Sequence, residues 1–190
     1  MLSRAAPRRG ARGLTFVELL FVLVILGLLA ALVVVPMARR VSTGQAAALA
    51  SDLHAVGNAI LAFRQDVRRY PLRLTQLTSP PGPGSLDLCG RVISAPFRAG
   101  WRGPYLDRAV GPAGLRAGDA VLLDSLRRVP AGTGADALLL VVAVGVDSLV
   151  ALEVERAFDG DGNFAAGAVR WSPAPAEQGR LEFGIPIRGC

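Results

Sequence analysis

One stretch limits this chain more than any other: Leu14 to Val35, LTFVELLFVLVILGLLAALVVV, with a single charge in 22 residues. As a helix rising about 1.5 Å per residue, it would be roughly 33 Å long, against a bilayer hydrocarbon core of about 30 Å. The run therefore predicts a membrane-spanning helix. The other strongly apolar segment, Ala137 to Gly145, is too short to span as a helix and reads as a buried strand.

What precedes the run fixes its meaning. Residues 1–13, MLSRAAPRRGARG, are basic and contain no acid. A secretory signal has a short apolar core followed by a small-residue cleavage site. Here the core is too long, and Pro36, Met37, Ala38, Arg39 and Arg40 follow it without an A-x-A site. The small residue lies before the run, at Gly13. A cut there would leave the apolar helix on the mature chain. The alternative is a signal anchor that is never cut. Arg4, Arg8, Arg9 and Arg12 outnumber Arg39 and Arg40, so the positive-inside rule puts the N-terminus in the cytoplasm and the remainder across the membrane.

The net charge of +6 does not point to nucleic acid. Without the four leader arginines, 17 basic residues face 15 acids, and they are scattered. All 21 basic residues are arginine, which reads as a codon bias and not as a recognition device.

Glu18 is the one charge inside the run. An acidic residue within a spanning helix costs up to about 2.5–3.5 kcal/mol and calls for a partner. Cleavage after Gly13 would create one, a free α-amine on Leu14 at the same depth. The two groups lie about one helical turn apart within one chain, or could pair between neighbouring chains; pairing between chains would fix the stagger of parallel helices, because a buried charge left unpaired is costly. The segment Gly13-Leu14-Thr15-Phe16-Val17-Glu18-Leu19-Leu20 resembles the prepilin processing motif of type IV pilins and type II secretion pseudopilins. It departs at Leu14, where phenylalanine is usual. The resemblance implies cleavage by an aspartyl prepilin peptidase, N-methylation of Leu14, and assembly into a filament with other pilins on an inner-membrane platform.

Beyond Pro36 the helical pattern resumes. Leu49, Leu53, Val56, Ile60, Phe63 and Val67 form one apolar stripe, with Asp52, Arg64, Gln65, Asp66, Arg68 and Arg69 mostly off it. The stripe is expected to pack on the protein's own sheet, with a coiled-coil seam as the alternative. Pro36 and Gly44 are places for a bend or local melting. The helix is expected to stop at Tyr70-Pro71.

The expected organisation is a leader over residues 1–13, a spanning and assembly segment over 14–35, an amphipathic continuation over 36–70, a connecting region over 71–118 and a sheet-bearing head over 119–190. Leu72 to Leu77 reads as a short helix. Strand candidates are Ala120–Asp124, Ala137–Gly145, Leu149–Ala157, Ala168–Trp171 and Leu181–Ile187. The strongest expected hairpin joins Leu138–Val144 to Leu149–Arg156 through Gly145, Asp147 and Ser148. The fold class is thus α+β, a long N-terminal helix packed on an antiparallel sheet of about four strands, which is also the pilin architecture that the resemblance implies. Trp101-Arg102-Gly103-Pro104-Tyr105-Leu106 is similar to the W-x-G-P-Y-L segment of major pseudopilins, and Arg69-Tyr70-Pro71 is similar to that family too. The D-P-W-G segment and the serine-glycine-aspartate-glycine loop of those proteins are missing. Trp101 and Tyr105 are expected to pin the connecting region onto the sheet, with Gly103 and Pro104 setting a turn.

Asp159, Asp161 and Asn163 alternate with glycines, the spacing with which calcium loops begin. An EF-hand is excluded, because its twelfth position would be Arg170. Major pseudopilins carry calcium in this part of the head, so the resemblance implies these three as ligands. The competing reading, a metal-free Asx-rich turn, ranks ahead of it. Cys89 and Cys190 are the only cysteines, and in an exported head a pair favours a disulfide. Closing a loop of about 100 residues is worth up to about 4.7 kcal/mol. Two free thiols, or one lipid-modified cysteine, are the alternatives. His54, the one histidine, reads as a solvated helix residue, and no nucleophile–base set, phosphate loop or zinc spacing is present. The resemblance implies a structural filament subunit, with membrane lipid as its surroundings before assembly, and the residues give an enzyme little support. Two alternatives remain: a minor pilin whose head captures DNA or a surface, and a monomeric membrane-anchored periplasmic domain.

Overall fold

The computed structural model describes residues 15–130, 137–174 and 179–189, without the side chains of 31–41. Two compact units emerge, Met1–Arg40 and Val41–Cys190. The first is helical from Phe16 onward. Helix α1 is assigned over Phe16–Val67, unbroken through Pro36 and Gly44, so neither residue melts it. Thr15 starts α1 in the manner of an N-cap: the Glu18 amide donates to its Oγ1 at 3.3 Å, and the Leu19 amide donates to its carbonyl at 3.1 Å. α1 takes in residues 16–35 of the apolar run, about 30 Å of helix.

In the second unit the α1 stripe becomes the floor of the core. Leu49 is 1% exposed, and Leu53, Val56, Ile60, Phe63 and Val67 are 0% exposed. They join one apolar cluster with Leu139, Val141, Ala143, Leu181 and Ile187, so the stripe packs on the protein's own sheet. Helix and sheet approach closely at Gly57, where an added Cβ would lie 3.7 Å from Ile185. By length and composition Ser42–Val67 is apolar enough to cross a membrane. Its buried stripe identifies it as a core helix. α1 ends at Val67, short of the expected Tyr70-Pro71. Arg68 still donates its amide to the Arg64 carbonyl at 2.9 Å, but its φ of 54° leaves the helical region.

The sheet has six strands, not about four. They are β1 (Leu115–Ala117), β2 (Ala120–Leu122), β3 (Arg127–Val129), β4 (Ala137–Val146), β5 (Val169–Ser172) and β6 (Gly179–Ile187), in the order β1-β2-β4-β6-β5 with β3 also on β4. All pairings are antiparallel. The short helices α2 (Thr75–Thr78) and α3 (Ala95–Arg98) lie in the connecting region, α2 within the neighbourhood expected to be helical.

One expected strand is a helix. Leu149–Ala157 lies in α4 (Ser148–Phe158), and the partner of β4 is β6. Val150, Ala151, Val154 and Glu155 are the buried residues, a helical and not an alternating pattern. Asp147 starts it, its Oδ1 accepting the Leu149 amide at 2.8 Å. Gly145, at φ 78°, sits at a register shift between Val144 and Val146, and Val146 still pairs with Gly179 before the chain enters α4. Asp147→Ala is expected to lower head stability by about 1 kcal/mol, the cost of a lost N-cap. Chemical denaturation of the wild-type and variant chains in the same detergent checks this.

Candidate functional site

Every described residue from Thr15 to Ala30 is exposed, on all sides of α1. Phe16 is 81% exposed, Phe21 67%, and Leu28 63%. A helix apolar all round with no protein against it needs lipid or other helices. Glu18 lies in its first turn. Its carboxylate has no hydrogen bond or ion pair among the described residues. Gly13 and Leu14 lie outside the described residues.

The Trp101–Leu106 segment is pinned, though not onto the sheet. Trp101 Nε1 donates to the Gln76 carbonyl at 3.0 Å, and the Tyr105 amide donates to the Leu77 carbonyl at 2.8 Å. The Tyr105 hydroxyl donates to Asp66 Oδ2 at 2.9 Å and accepts the Arg102 amide at 3.0 Å. Its ring meets Phe63 edge-on at 5.9 Å and Trp101 at 5.7 Å. The anchors are therefore α1 and α2. The Gly103–Pro104 peptide is cis. A Cβ at Gly103 would lie 2.5 Å from the Trp101 ring, so only glycine fits under it. Desolvation, then the Asp66 carboxylate, push the Tyr105 phenol above its ordinary range, opposed by the Arg102 and Gly103 backbone.

In the acidic loop, Asp159 accepts the Ala168 amide on Oδ1 at 3.0 Å and the Val169 amide on Oδ2 at 2.8 Å. Gly167 permits this approach, since a Cβ there would stand 2.5 Å from Asp159 Oδ2. Asp161 Oδ1 accepts the Asn163 amide at 2.8 Å, and Asn163 Oδ1 accepts the Ala165 amide at 3.0 Å, two successive Asx turns. Among the described residues no three His, Cys, Asp or Glu side chains come together as a metal-binding group. Sequence reading missed Glu155, which is 0% exposed. Its Oε2 accepts the Gly162 amide at 2.7 Å, and its Oε1 has no partner. Only the helical reading of 148–158 exposes it, as an acid on the buried face.

Asp87, 0% exposed, organises the loop around Cys89. Its Oδ1 accepts the Cys89 amide at 2.9 Å and the Arg91 amide at 2.8 Å. Arg69 Nε lies 3.6 Å from its Oδ2. Cys89 is disulfide-bonded, and Cys190 lies outside the described residues. The terminal strand returns close by: Gly189 and Cys89 line one small cleft, and the Arg188 amide donates to the Tyr70 hydroxyl at 3.4 Å. His54 is an exposed helix residue, as expected, stacked at 4.5 Å on Phe158.

Residues 8–34 match the family model described as the prokaryotic N-terminal methylation motif, the prepilin-type motif of type IV pilins and pseudopilins. This is the motif of a structural, non-enzymatic family, and it supports a pilin-like or pseudopilin subunit. Together with the apolar helix it fits a membrane-anchored pilin, processed by prepilin peptidase and assembled with other pilins. No curated protein and no solved structure matches the chain.

Proposed function

We propose that the protein is a structural subunit of a type II secretion pseudopilus or a type IV pilus, polymerising through its N-terminal helix. The observation that carries this reading is the coincidence of the methylation motif at residues 8–34 with a helix exposed on every side from Phe16 to Ala30. In the proposed cycle the leader arginines hold the N-terminus in the cytoplasm, with the head in the periplasm. The peptidase cuts between Gly13 and Leu14, and the new amine is methylated. A methylated amine keeps its positive charge and remains able to pair with a carboxylate.

Assembly then follows from electrostatics in a low dielectric. Each Glu18 carries an unpaired negative charge in an apolar setting, and each cleaved chain adds an unpaired amine. Bringing the two together across a helix pair removes both penalties at one axial stagger. The apolar side chains around Glu18 supply packing without fixing register. The resemblance of Trp101–Leu106 to major pseudopilins favours the secretion pseudopilus within this class.

Filaments in sheared surface or periplasmic fractions of cells overproducing the protein test the proposal. They are expected in cells with prepilin peptidase and absent from cells lacking it. Equal amounts in both strains would refute the reading.

A further inference from the structure

Six arginine-to-carboxylate ion pairs occur among the described residues, and none of them involves Arg64, Arg68, Arg91 or Arg188. These four exposed arginines line one cleft of about 60 Å³, together with Arg69 and Asp87. Among the described residues of the cleft, five guanidinium groups face one side-chain carboxylate. That carboxylate is already committed to Arg69 and to two loop amides.

The helix dipole attracts cations to the end of α1, which accounts for Arg64, Arg68 and Arg69. It does not account for Arg91, from the loop after Cys89, or for Arg188, beyond β6. Three separate chain segments bring like charges to one place. Their backbones are held there: the Arg91 amide donates to Asp87 Oδ1, the Asp87 amide donates to the Arg91 carbonyl, and the Arg188 amide donates to the Tyr70 hydroxyl. The Arg64 guanidinium carbon lies over the Tyr70 ring, 4.7 Å from its centroid, and that of Arg69 over the Phe97 ring at 4.2 Å. Arg68 stands in the left-handed region, φ 54°, at a position where glycine is usual. Like charges held together by an ordered scaffold call for an anion.

We propose that this cleft is a binding site for a terminal phosphate group. A phosphomonoester carries about −1.5 to −2 charges near pH 7 and offers three acceptor oxygens, whereas a carboxylate carries one charge and two oxygens. Guanidinium forks match phosphate oxygens in pairs. The cleft has room for one such group and not for a sugar or a base. Arg64 and Arg68 also line an adjoining open groove of about 370 Å³ with Leu61 and Gln65. The organic part of the ligand lies there, against Leu61, which is 44% exposed. A nucleic-acid strand fits less well, because the cleft is a single socket and its aromatic ring, Tyr70, is only 5% exposed. This assignment goes beyond filament assembly and does not depend on it.

The test is equilibrium dialysis of radiolabelled inorganic phosphate against the full chain in a neutral detergent, at about 0.15 M salt, where the Debye length is about 8 Å. Wild type is expected to bind one phosphate per chain saturably. Arg91→Gln with Arg188→Gln is expected to weaken binding at least about tenfold, as two lost charge-assisted contacts imply. The control pair Arg116→Gln with Arg170→Gln removes the same charge from exposed arginines elsewhere, and is expected to change binding less than about twofold, the scale of a screened surface effect. If the first pair fails to fold, Arg64→Gln with Arg68→Gln replaces it. Soluble dibutanoyl phosphatidic acid distinguishes the sources: displacement of phosphate at lower concentration than unlabelled phosphate itself assigns a lipid headgroup, and displacement only at equal or higher concentration assigns a soluble phosphate ester. No saturable uptake by the wild type, or an equal loss in both double variants, overturns the site. So does an oligonucleotide that binds wild type and is weakened equally by both pairs, because that describes a diffuse basic surface.

Discussion

Glu18→Ala is expected to abolish filaments while the subunit stays cut, folded and in the membrane. The substitution removes no contact with the described residues, among which the Glu18 carboxylate has no partner. Its own insertion becomes easier, because the charge it loses costs up to about 2.5–3.5 kcal/mol in a spanning helix. The penalty falls on assembly. The Leu14 amine of each neighbour would be left unpaired in an apolar setting, at a cost of about 3–5 kcal/mol per contact. At about 1.4 kcal/mol per factor of ten, association weakens roughly a hundredfold or more at every step of polymerisation. Glu18→Gln should fail similarly, since the amide keeps the shape and loses the charge. Counting sheared filaments by electron microscopy, with membrane fractions as the control for subunit level, decides the matter. Normal filament yield with Glu18→Ala would show that the charge does not set the stagger.

Phe63→Ala is expected to destabilise the head by about 3–5 kcal/mol, a large share of the 5–15 kcal/mol typical of a domain. Phe63 is 0% exposed and sits where three parts of the head meet: the α1 stripe, the Tyr105 ring and the apolar cluster under the sheet. Truncation removes its transfer free energy and leaves a cavity that the surrounding helix and sheet cannot close. It also frees the edge contact that helps hold Tyr105, and with it the Trp101–Leu106 segment. Leu61→Ala, on the same helix but 44% exposed, is expected to change stability by less than about 1 kcal/mol. Denaturant titration of both variants in one detergent gives the comparison. Equal effects at the two positions would mean that the stripe does not form the core.

The parts of this fold written in periodicity were legible. The stripe from Leu49 to Val67 repeats over six positions, and each lies in the core. The long strand β4 is a ten-residue apolar run, readable as buried on both faces. The short strands β1 and β3 were not legible, because three residues carry no period and Arg127-Arg128-Val129 presents no buried face. The error over 148–158 has a definite cause. Valines at 150 and 154 favour a strand by propensity but sit four residues apart, which is a helical repeat, and the Asp147 cap tips the balance. Glu155 was lost with that misreading. The aromatic pair Trp101 and Tyr105 was recognised, but its partners lie about 25 and 40 residues earlier in the chain, at Gln76 and Asp66, and no local pattern identifies them. For the same reason Asp87 gave no signal, since its role depends on Arg69, Cys89 and Arg91 converging on it.

In the proposed assembly, Leu14 becomes a methylated N-terminus that pairs with Glu18. The most direct test is the intact mass of the protein extracted from membranes of cells with an active prepilin peptidase. A chain starting at Leu14 and carrying one added methyl group, about 14 Da, is expected. A mass that begins at Met1 in the same cells would contradict it, and with it the pairing on which assembly is built.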